Sequence, residues 1–217
     1  MRDINSECLP IKPSVRLSLC CPFLAIDIPQ RKGEPIQFSA DEGVRPNTTV
    51  SGLSTLRPVF KKGGQVTAGN ASTLNDGASA VLVADAEYAA QQGWTILAFI
   101  EDYCTSGVEP ARVMSAPIPA IETLLERNQL KVSDIDVFEH NEAFASASCS
   151  IAKELNIPHD RLNLHCGAVS LGHPLGSSGT RCLITMIAVM RRLESSTGIV
   201  TLCLGGGNAV AMLVRRN

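Results

Sequence analysis

The chain has 217 residues, 45% of them hydrophobic and 18% charged, with a mean hydropathy of +0.12; this is enough apolar material for a packed core and excludes disorder as the main state. Nineteen Lys and Arg against 21 Asp and Glu give a formal charge of −2 with no long run of either sign, so no nucleic-acid partner is expected. Aromatics make up only 4%, beside 17 glycines and 12 prolines, a balance that suits a tightly turned α/β protein with an aliphatic core.

Residues 1–22 mix Pro, Cys and basic side chains without a turn or strand signature and are read as an unassigned leader. The longest nearly apolar stretch, Leu17 to Ile28, is broken by Pro22 and Asp27, short of the about 18 residues of a spanning helix. Arg2, Lys12 and Arg16 ahead of it imitate an export signal, but Pro22 interrupts the stretch and no small-residue cleavage site follows. A cytoplasmic location without a membrane span is the expectation. The eight cysteines include no CxxC pair, and a chain of this size and apolarity needs no staples, so they are expected to be reduced.

From Ile28 to Gly64, Pro- and Gly-punctuated polar sequence predicts turns and short strands, with a small helix near Val50 to Leu56. Beyond Val66, a Gly/Asn/Ser turn leads into the apolar run Ala78 to Ala84, read as a buried strand. A helix from Ala86 to Gln92 then closes at Gly93, the expected boundary between segments 23–92 and 93–217. After it the elements alternate: strand Thr95 to Tyr103, helix Ala120 to Gln129 entered through Pro119, strand Asp136 to His140, helix Phe144 to Leu155 and a short strand Arg161 to Leu164. In the next helix, Gly179 to Leu193, the residues Leu183, Ile187 and Met190 share one face. Strands Gly198 to Leu204 and Val210 to Val214 close the chain, separated by Gly205, Gly206 and Gly207. Such alternation predicts a three-layer α/β sheet.

Three turns concentrate reactive residues at strand ends, where open α/β sheets place their sites. Asn141-Glu142-Ala143-Phe144 follows a strand and opens a helix, so Asn141 reads either as a helix cap or as a carboxamide aimed into a cleft. In Gly172-His173-Pro174-Leu175-Gly176-Ser177-Ser178-Gly179, the proline forces His173 out of the helical region and presents its ring on a rigid backbone, as for a catalytic base; the alternative is a structural histidine. Cys203-Leu204-Gly205-Gly206-Gly207 sets a thiol beside glycine N–H groups that can approach a ligand oxygen; the alternative is inert packing. His, Cys and backbone donors together suit acyl transfer.

The motifs NEAF, GHPLGSSG and CLGGG, in this order and preceded by IPQRKG, DEGVRP, LRPVFKKGGQVTAGNAS and NDGASAV, resemble the thiolase family, the acetyl-CoA acetyltransferases and 3-ketoacyl-CoA thiolases, over residues 23–217. The resemblance implies a thiolase-like layered α-β-α fold and ping-pong acyl transfer on coenzyme A thioesters, with no metal or other cofactor. It implies that His173 activates a nucleophilic cysteine and helps to bind the thioester oxyanion, that Cys203 is the acid/base at the acetyl-CoA methyl carbon, that Asn141 holds the water of one oxyanion hole, and that the Gly205 N–H contributes to a second. Arg45, Ala68 and Ser72 match positions that touch coenzyme A, with Met114 and Phe144 as pocket walls.

The family's nucleophilic cysteine lies in an N-terminal half that finds no match here, and Cys8, Cys20 and Cys21 have no nucleophile context. The chain is therefore expected to act with a complementary N-terminal half, or to self-associate, and to be inactive alone. A non-catalytic protein that binds acyl-CoA or a thiolase subunit is the alternative. Cys166, Thr73 and Ala209 stand where the family pattern has glycine.

Overall fold

The structure is a computed structural model and describes residues 24–216; the leader, including Cys8, Cys20 and Cys21, lies outside them. Two compact units divide at Val44. In the first, β1 (Ile26–Ile28) and β2 (Ile36–Phe38) form an antiparallel pair with Ile26 opposite Phe38.

The second unit opens with two short helices. In α1 (Val50–Ser54) the Thr49 hydroxyl caps the Gly52 N–H. In α2 (Ala86–Gln91) the Asp85 carboxylate caps the Tyr88 N–H, and the helix ends at Gly93 with φ +68°. Between them, the apolar run Ala78 to Ala84 is not a strand, contrary to expectation: no described strand pairs with it, and Leu82 and Val83 are 78% and 67% exposed. Without a neighbour to complete its hydrogen bonds, apolar sequence alone does not make a strand.

The remaining elements are β3 (Phe99–Gly107), α3 (Pro117–Arg127), β4 (Val137–His140), α4 (Ala145–Leu155), α5 (Ala168–Leu171), α6 (Ser178–Arg192), β5 (Thr197–Leu204) and β6 (Asn208–Arg215). The four strands form one sheet in the order β3-β6-β5-β4, antiparallel except for the β5/β4 pair. One face, with Phe138, Ile199, Ala211 and Leu213, packs on Ile121 and Leu124 of α3 and Ile151 of α4. The other, with Val137, Val200 and Val214, packs on Cys182, Met186, Val189 and Met190 of α6. This is a layered α-β-α fold. Gly198 lets α6 approach β5 closely: a Cβ there would stand 2.7 Å from the Met186 sulfur and 2.8 Å from that of Met190.

Several boundaries move. β3 begins at Phe99, not Thr95, and α3 at Pro117, not Ala120, because a proline in the first turn has no N–H to forfeit. Arg161 to Leu164 is no strand; a 3₁₀ turn, His159–Arg161, leads to a single bridge between Leu162 and Phe138. The buried face of α6 is Cys182, Thr185, Met186, Val189 and Met190, with Leu183 and Ile187 only half-buried. Apolar residues surround nearly all of this helix, so periodicity did not single out the contact face. Ala209 fits its site: it is fully buried within β6, and the positive φ angles of the turn fall on Gly206 and Gly207. Cys166, in contrast, takes φ +69°.

Candidate active site

The parallel pair of strands places the first component. The Asn141 N–H, one residue past the end of β4, donates to Thr201 O of β5 at 3.2 Å, and its side chain is almost wholly buried. Asn141 is not a helix cap: the residue that precedes α4 is Phe144, which makes no side-chain capping bond. Its carboxamide is turned inward instead.

AGNAS and the three residues after it, Thr73 to Asn75, run between two of the three reactive turns and tie them together. Asn70 O accepts from Ala145 N at 2.9 Å, Ser72 N donates to Ala143 O at 3.0 Å, and Thr73 O accepts from His173 N at 2.9 Å. The same His173 N–H donates to Asn75 Oδ1 at 3.2 Å. Gly172, at φ +86°, has no room for a Cβ, which would lie 2.6 Å from the Asn75 amide carbon. The GHP turn is thereby pinned beside Asn141.

His173 Nε2 lies 3.2 Å from Asn141 Nδ2, and His173 Nδ1 lies 2.7 Å from Ser178 Oγ. The Arg181 guanidinium donates through Nη2 to Asn141 Oδ1 at 3.0 Å, which fixes the carboxamide with its nitrogen toward the imidazole. Nδ2 has only protons to offer, so Nε2 is the acceptor and Nδ1 carries the proton. Nδ1–H then donates to Ser178 Oγ, whose own proton goes to Pro174 O at 3.1 Å. Burial, and then the nearby Arg181 charge, hold the His173 pKa below the ordinary value. A neutral imidazole with its lone pair on Nε2 is the form needed for a general base.

Around this pair the interior is unusually polar. Glu139 of β4 is fully buried and its Oε1 accepts from Arg181 Nη1 at 3.2 Å; burial, opposed by Arg181, pushes its pKa up to about 8. His140 is also fully buried. Its Nδ1 receives the Ser148 hydroxyl at 2.7 Å and the Glu142 N–H at 3.2 Å, and burial, aided by Arg181, pushes its pKa down to about 4.

Not every expected residue joins the cluster. Cys203, at the end of β5 opposite Ala209, makes no hydrogen bond to His173 or Asn141 among the described residues; burial raises its thiol pKa. Gly205 is exposed in the β5/β6 turn. Gly207 in that turn has φ +94°, and its carbonyl accepts from Val108 N at 2.7 Å. A Cβ on it would press on Pro110 at 3.2 Å, which is why glycine is required. Phe144 is half-buried and stacks edge to face with Phe60 at 5.8 Å between ring centres. Ser72 is half-buried beside it, Ala68 and Arg45 are exposed, and Met114 is half-buried in the 3₁₀ turn Pro110–Ser115. Ser178, Arg181 and Glu139 were missed by sequence reasoning. Two signals pointed to the last two: a cation in the first turn of α6, where the helix dipole disfavours it, and a carboxylate inside the apolar strand VFEH.

Residues 94–216 match the profile described as "Thiolase, C-terminal domain", and residues 23–87 match "Thiolase, N-terminal domain". The chain belongs to the thiolase family. It is 44% identical over 213 residues to a probable acetyl-CoA acyltransferase of Staphylococcus aureus (strain MRSA252), covering 98% of this chain and 54% of that protein. An alignment of that extent reaches into residues 1–22. Among solved structures, it is similar to the Bacillus anthracis acetyl-CoA acetyltransferase, with a TM-score of 0.81 and 38% identity, over 88% of this chain and 48% of the other. It is likewise similar to human mitochondrial 3-ketoacyl-CoA thiolase in complex with CoA, with a TM-score of 0.79 and 38% identity, over 84% of this chain and 46% of that one. This thiolase-family chain thus spans about half the length of the curated relatives it matches. No helix among its described residues is long and apolar enough to cross a membrane.

Proposed function

We propose that the chain supplies the acid/base half of a thiolase-type acyltransferase acting on acetyl-CoA and 3-ketoacyl-CoA thioesters, by thiolysis or Claisen condensation, with a nucleophilic cysteine coming from a polypeptide that corresponds to the family's N-terminal half. The observation that carries this reading is the 3.2 Å contact between Asn141 Nδ2 and His173 Nε2, with Asn141 Oδ1 taken by Arg181. His173 Nε2 takes the proton of the nucleophilic cysteine, whose thiolate adds to the acetyl-CoA thioester carbonyl. The adduct collapses with cleavage of the C–S bond to coenzyme A, which leaves as the thiol with the proton returned by His173. In thiolysis the same thiolate adds to the 3-keto carbonyl, and the C–C bond breaks to release the acyl-CoA enolate. Proton uptake turns Nε2 into a donor, so that it and the Asn141 amide 3.2 Å away can serve one developing oxyanion, directly or through water. Cys203 exchanges the α-carbon proton; the burial that raises its pKa makes its thiolate a stronger base, which suits a weak carbon acid. Gly205 N–H belongs to the second oxyanion site, and Arg45, Ala68, Ser72, Met114 and Phe144 to the coenzyme A and acyl contacts. Exposed Leu82 and Val83 fit cover by that partner half or by self-association.

The test is cleavage of acetoacetyl-CoA by free CoA, followed by loss of the enolate absorbance, with and without a thiolase N-terminal half. Turnover is expected only with both present. With both present and acetyl-CoA as the acyl donor, His173→Ala should suppress the acyl-enzyme burst, whereas Cys203→Ser should acylate and then stall before condensation. Equal bursts in the two variants would contradict the assigned roles, and turnover by the chain alone would remove the half-site reading. Acyl-CoA binding without turnover in the presence of the partner half would leave a non-catalytic binding protein.

A further inference from the structure

We propose that Arg181, anchored on Glu139, is a positioning residue that sets the direction of the Asn141 carboxamide and through it holds His173 in the Nδ1–H tautomer. The inference deepens the proposed function and rests on it for its catalytic consequence, but the tautomer itself is a property of the protein without substrate.

The chain of hydrogen bonds runs Arg181 to Asn141 to His173 to Ser178 to Pro174. Asparagine, imidazole and serine can each reverse polarity by an amide flip, a proton shift or a hydroxyl rotation. A guanidinium cannot: it has five N–H groups and no acceptor. Arg181 is the only member that can donate and never accept, so it decides the direction of all the rest. A flipped Asn141 would set Nδ2 against Arg181 Nη2, donor to donor, and turn Oδ1 toward His173 Nε2. That arrangement demands a proton on Nε2 and removes the base. The buried Cys182 thiol adds a second donor on Asn141 Oδ1 at 3.7 Å, and burial pushes its pKa up to about 12, so the thiol keeps its proton.

Arg181 sits poorly as a folding device. It lies in the first turn of α6, where the helix dipole opposes a cation. Its pair with Glu139 leaves Glu139 Oε2 and Arg181 Nε without partners among the described residues, and a buried ion pair with unsatisfied atoms contributes little to stability. What the pair does fix is the aim of the two Nη groups, one on Glu139 and one on Asn141. Glu139 Oε1 accepts from Nη1 whether or not the carboxyl is protonated. The charged groups that face this chain are Arg181, Glu139 and Glu142.

The experiment is long-range ¹⁵N–¹H correlation on full-length chain labelled with ¹⁵N at histidine, read in solution or, for self-associated protein, by magic-angle spinning, with His173 assigned through His173→Gln. Wild-type protein at neutral pH should show His173 protonated at Nδ1 and bare at Nε2; an Nε2–H tautomer overturns the proposal without any further variant. In folded Arg181→Met, loss of a charge-assisted hydrogen bond should shift the Nδ1–H to Nε2–H ratio by about tenfold or more. Glu139→Gln, which keeps the acceptor for Nη1, should preserve the wild-type tautomer. An unchanged tautomer in Arg181→Met would show a merely structural arginine. If Arg181→Met does not fold, Glu139→Leu, which removes only the anchor, takes its place with the same two outcomes. Because no substrate is present, failure of the acyl-transfer reading leaves these spectra unmoved.

Discussion

Residues 45–93 and residues 94–216 hold their helices by different means. In the first stretch, α1 and α2 are five and six residues long and bury almost nothing; only Ala89 is inside. Both rely on local chemistry, a Thr49 or Asp85 side-chain cap at the start and, for α2, Gly93 at the end. In the second stretch, α3, α4 and α6 start without any side-chain capping bond and bury a continuous face on the sheet. After α3 and α6 the chain turns through Gln129 and Glu194 at φ 55° and 54°, positions that favour glycine. A short helix is marginal and needs each terminal bond, whereas burial of an amphipathic face outweighs the absence of a cap.

The difference can be broken most forcefully in the core. Leu124→Ala should cost about 2–5 kcal/mol, because Leu124 is fully enclosed between α3 and the sheet. Leu82→Ala, in the exposed run, should stay within about 0.5 kcal/mol. Urea denaturation of the two variants makes the comparison, and similar losses would mean that residues 78–84 are packed in solution.

The next effect is pH, which acts through groups buried in the sheet region alone. Glu139, raised by burial from 4.5 to about 8, binds more protons folded than unfolded between those values, so its contribution is present at low pH and lost as pH rises. His140, lowered by burial from 6.5 to about 4, acts in the opposite sense and destabilises as pH falls through that window; His165 and His173 add to it. The opposing slopes offset one another between 4.5 and 6.5; above that Glu139 dominates, and Glu142, whose pKa burial also raises, acts in the same sense. Stability should therefore decline from pH 6.5 to 8 by about 1–2 kcal/mol. Denaturation midpoints of wild type and Glu139→Gln across this range test it, with most of the decline expected to be lost in the variant and any remainder carried by Glu142.

What was legible in the sequence follows the same division. The four strands of the sheet and helices α3, α4 and α6 of 94–216 announced themselves through periodicity and turn chemistry. Arg161 to Leu164, by contrast, reads as a strand but is none, and the pattern does not foretell the four-residue α5; both lie where packing and not pattern decides. The run Ala78 to Ala84 misled because β-pairing is a long-range property, and its apolar residues have no partner strand among the described residues. At the site, His173 and Asn141 could be named from their motifs. Arg181 and Glu139 left only indirect traces, a cation early in α6 and a carboxylate in an apolar strand; that they act together depends on a 3.2 Å contact between residues 42 positions apart, and no local pattern encodes that distance. The buried face of α6 was hidden for a further reason: LITMIAV is apolar on nearly every side.

A smaller effect sharpens the contrast from the side of the caps. Asp85→Ala removes the carboxylate that accepts from Tyr88 N at 3.0 Å and should cost α2 about 1 kcal/mol. With one buried residue to hold it, α2 should open locally while the sheet is untouched. Hydrogen exchange should rise at residues 86–91 and stay constant in β5 and β6; a uniform rise would mean that α2 folds as one cooperative unit with the sheet.

The smallest effect is a gain. Glu194 is exposed and follows α6 in the left-handed region at φ 54°, and the next residue closes the helix through Ser195 N to Met190 O at 2.9 Å. That is the geometry in which glycine is favoured, since a Cβ strains the left-handed conformation. Packing along Cys182, Met186, Val189 and Met190 already fixes the path of α6, so relieving the strain adds stability without altering structure. Glu194→Gly should raise ΔG of unfolding by about 0.5–1 kcal/mol, read as a higher urea midpoint at unchanged m. The converse exchange, Gly93→Ala at φ +68° after α2, should cost a similar amount and show itself chiefly as faster exchange in residues 86–91. If the two changes shifted global stability equally, the capped and the packed helices would be held by one cooperative unit, and the division between the two stretches would not stand.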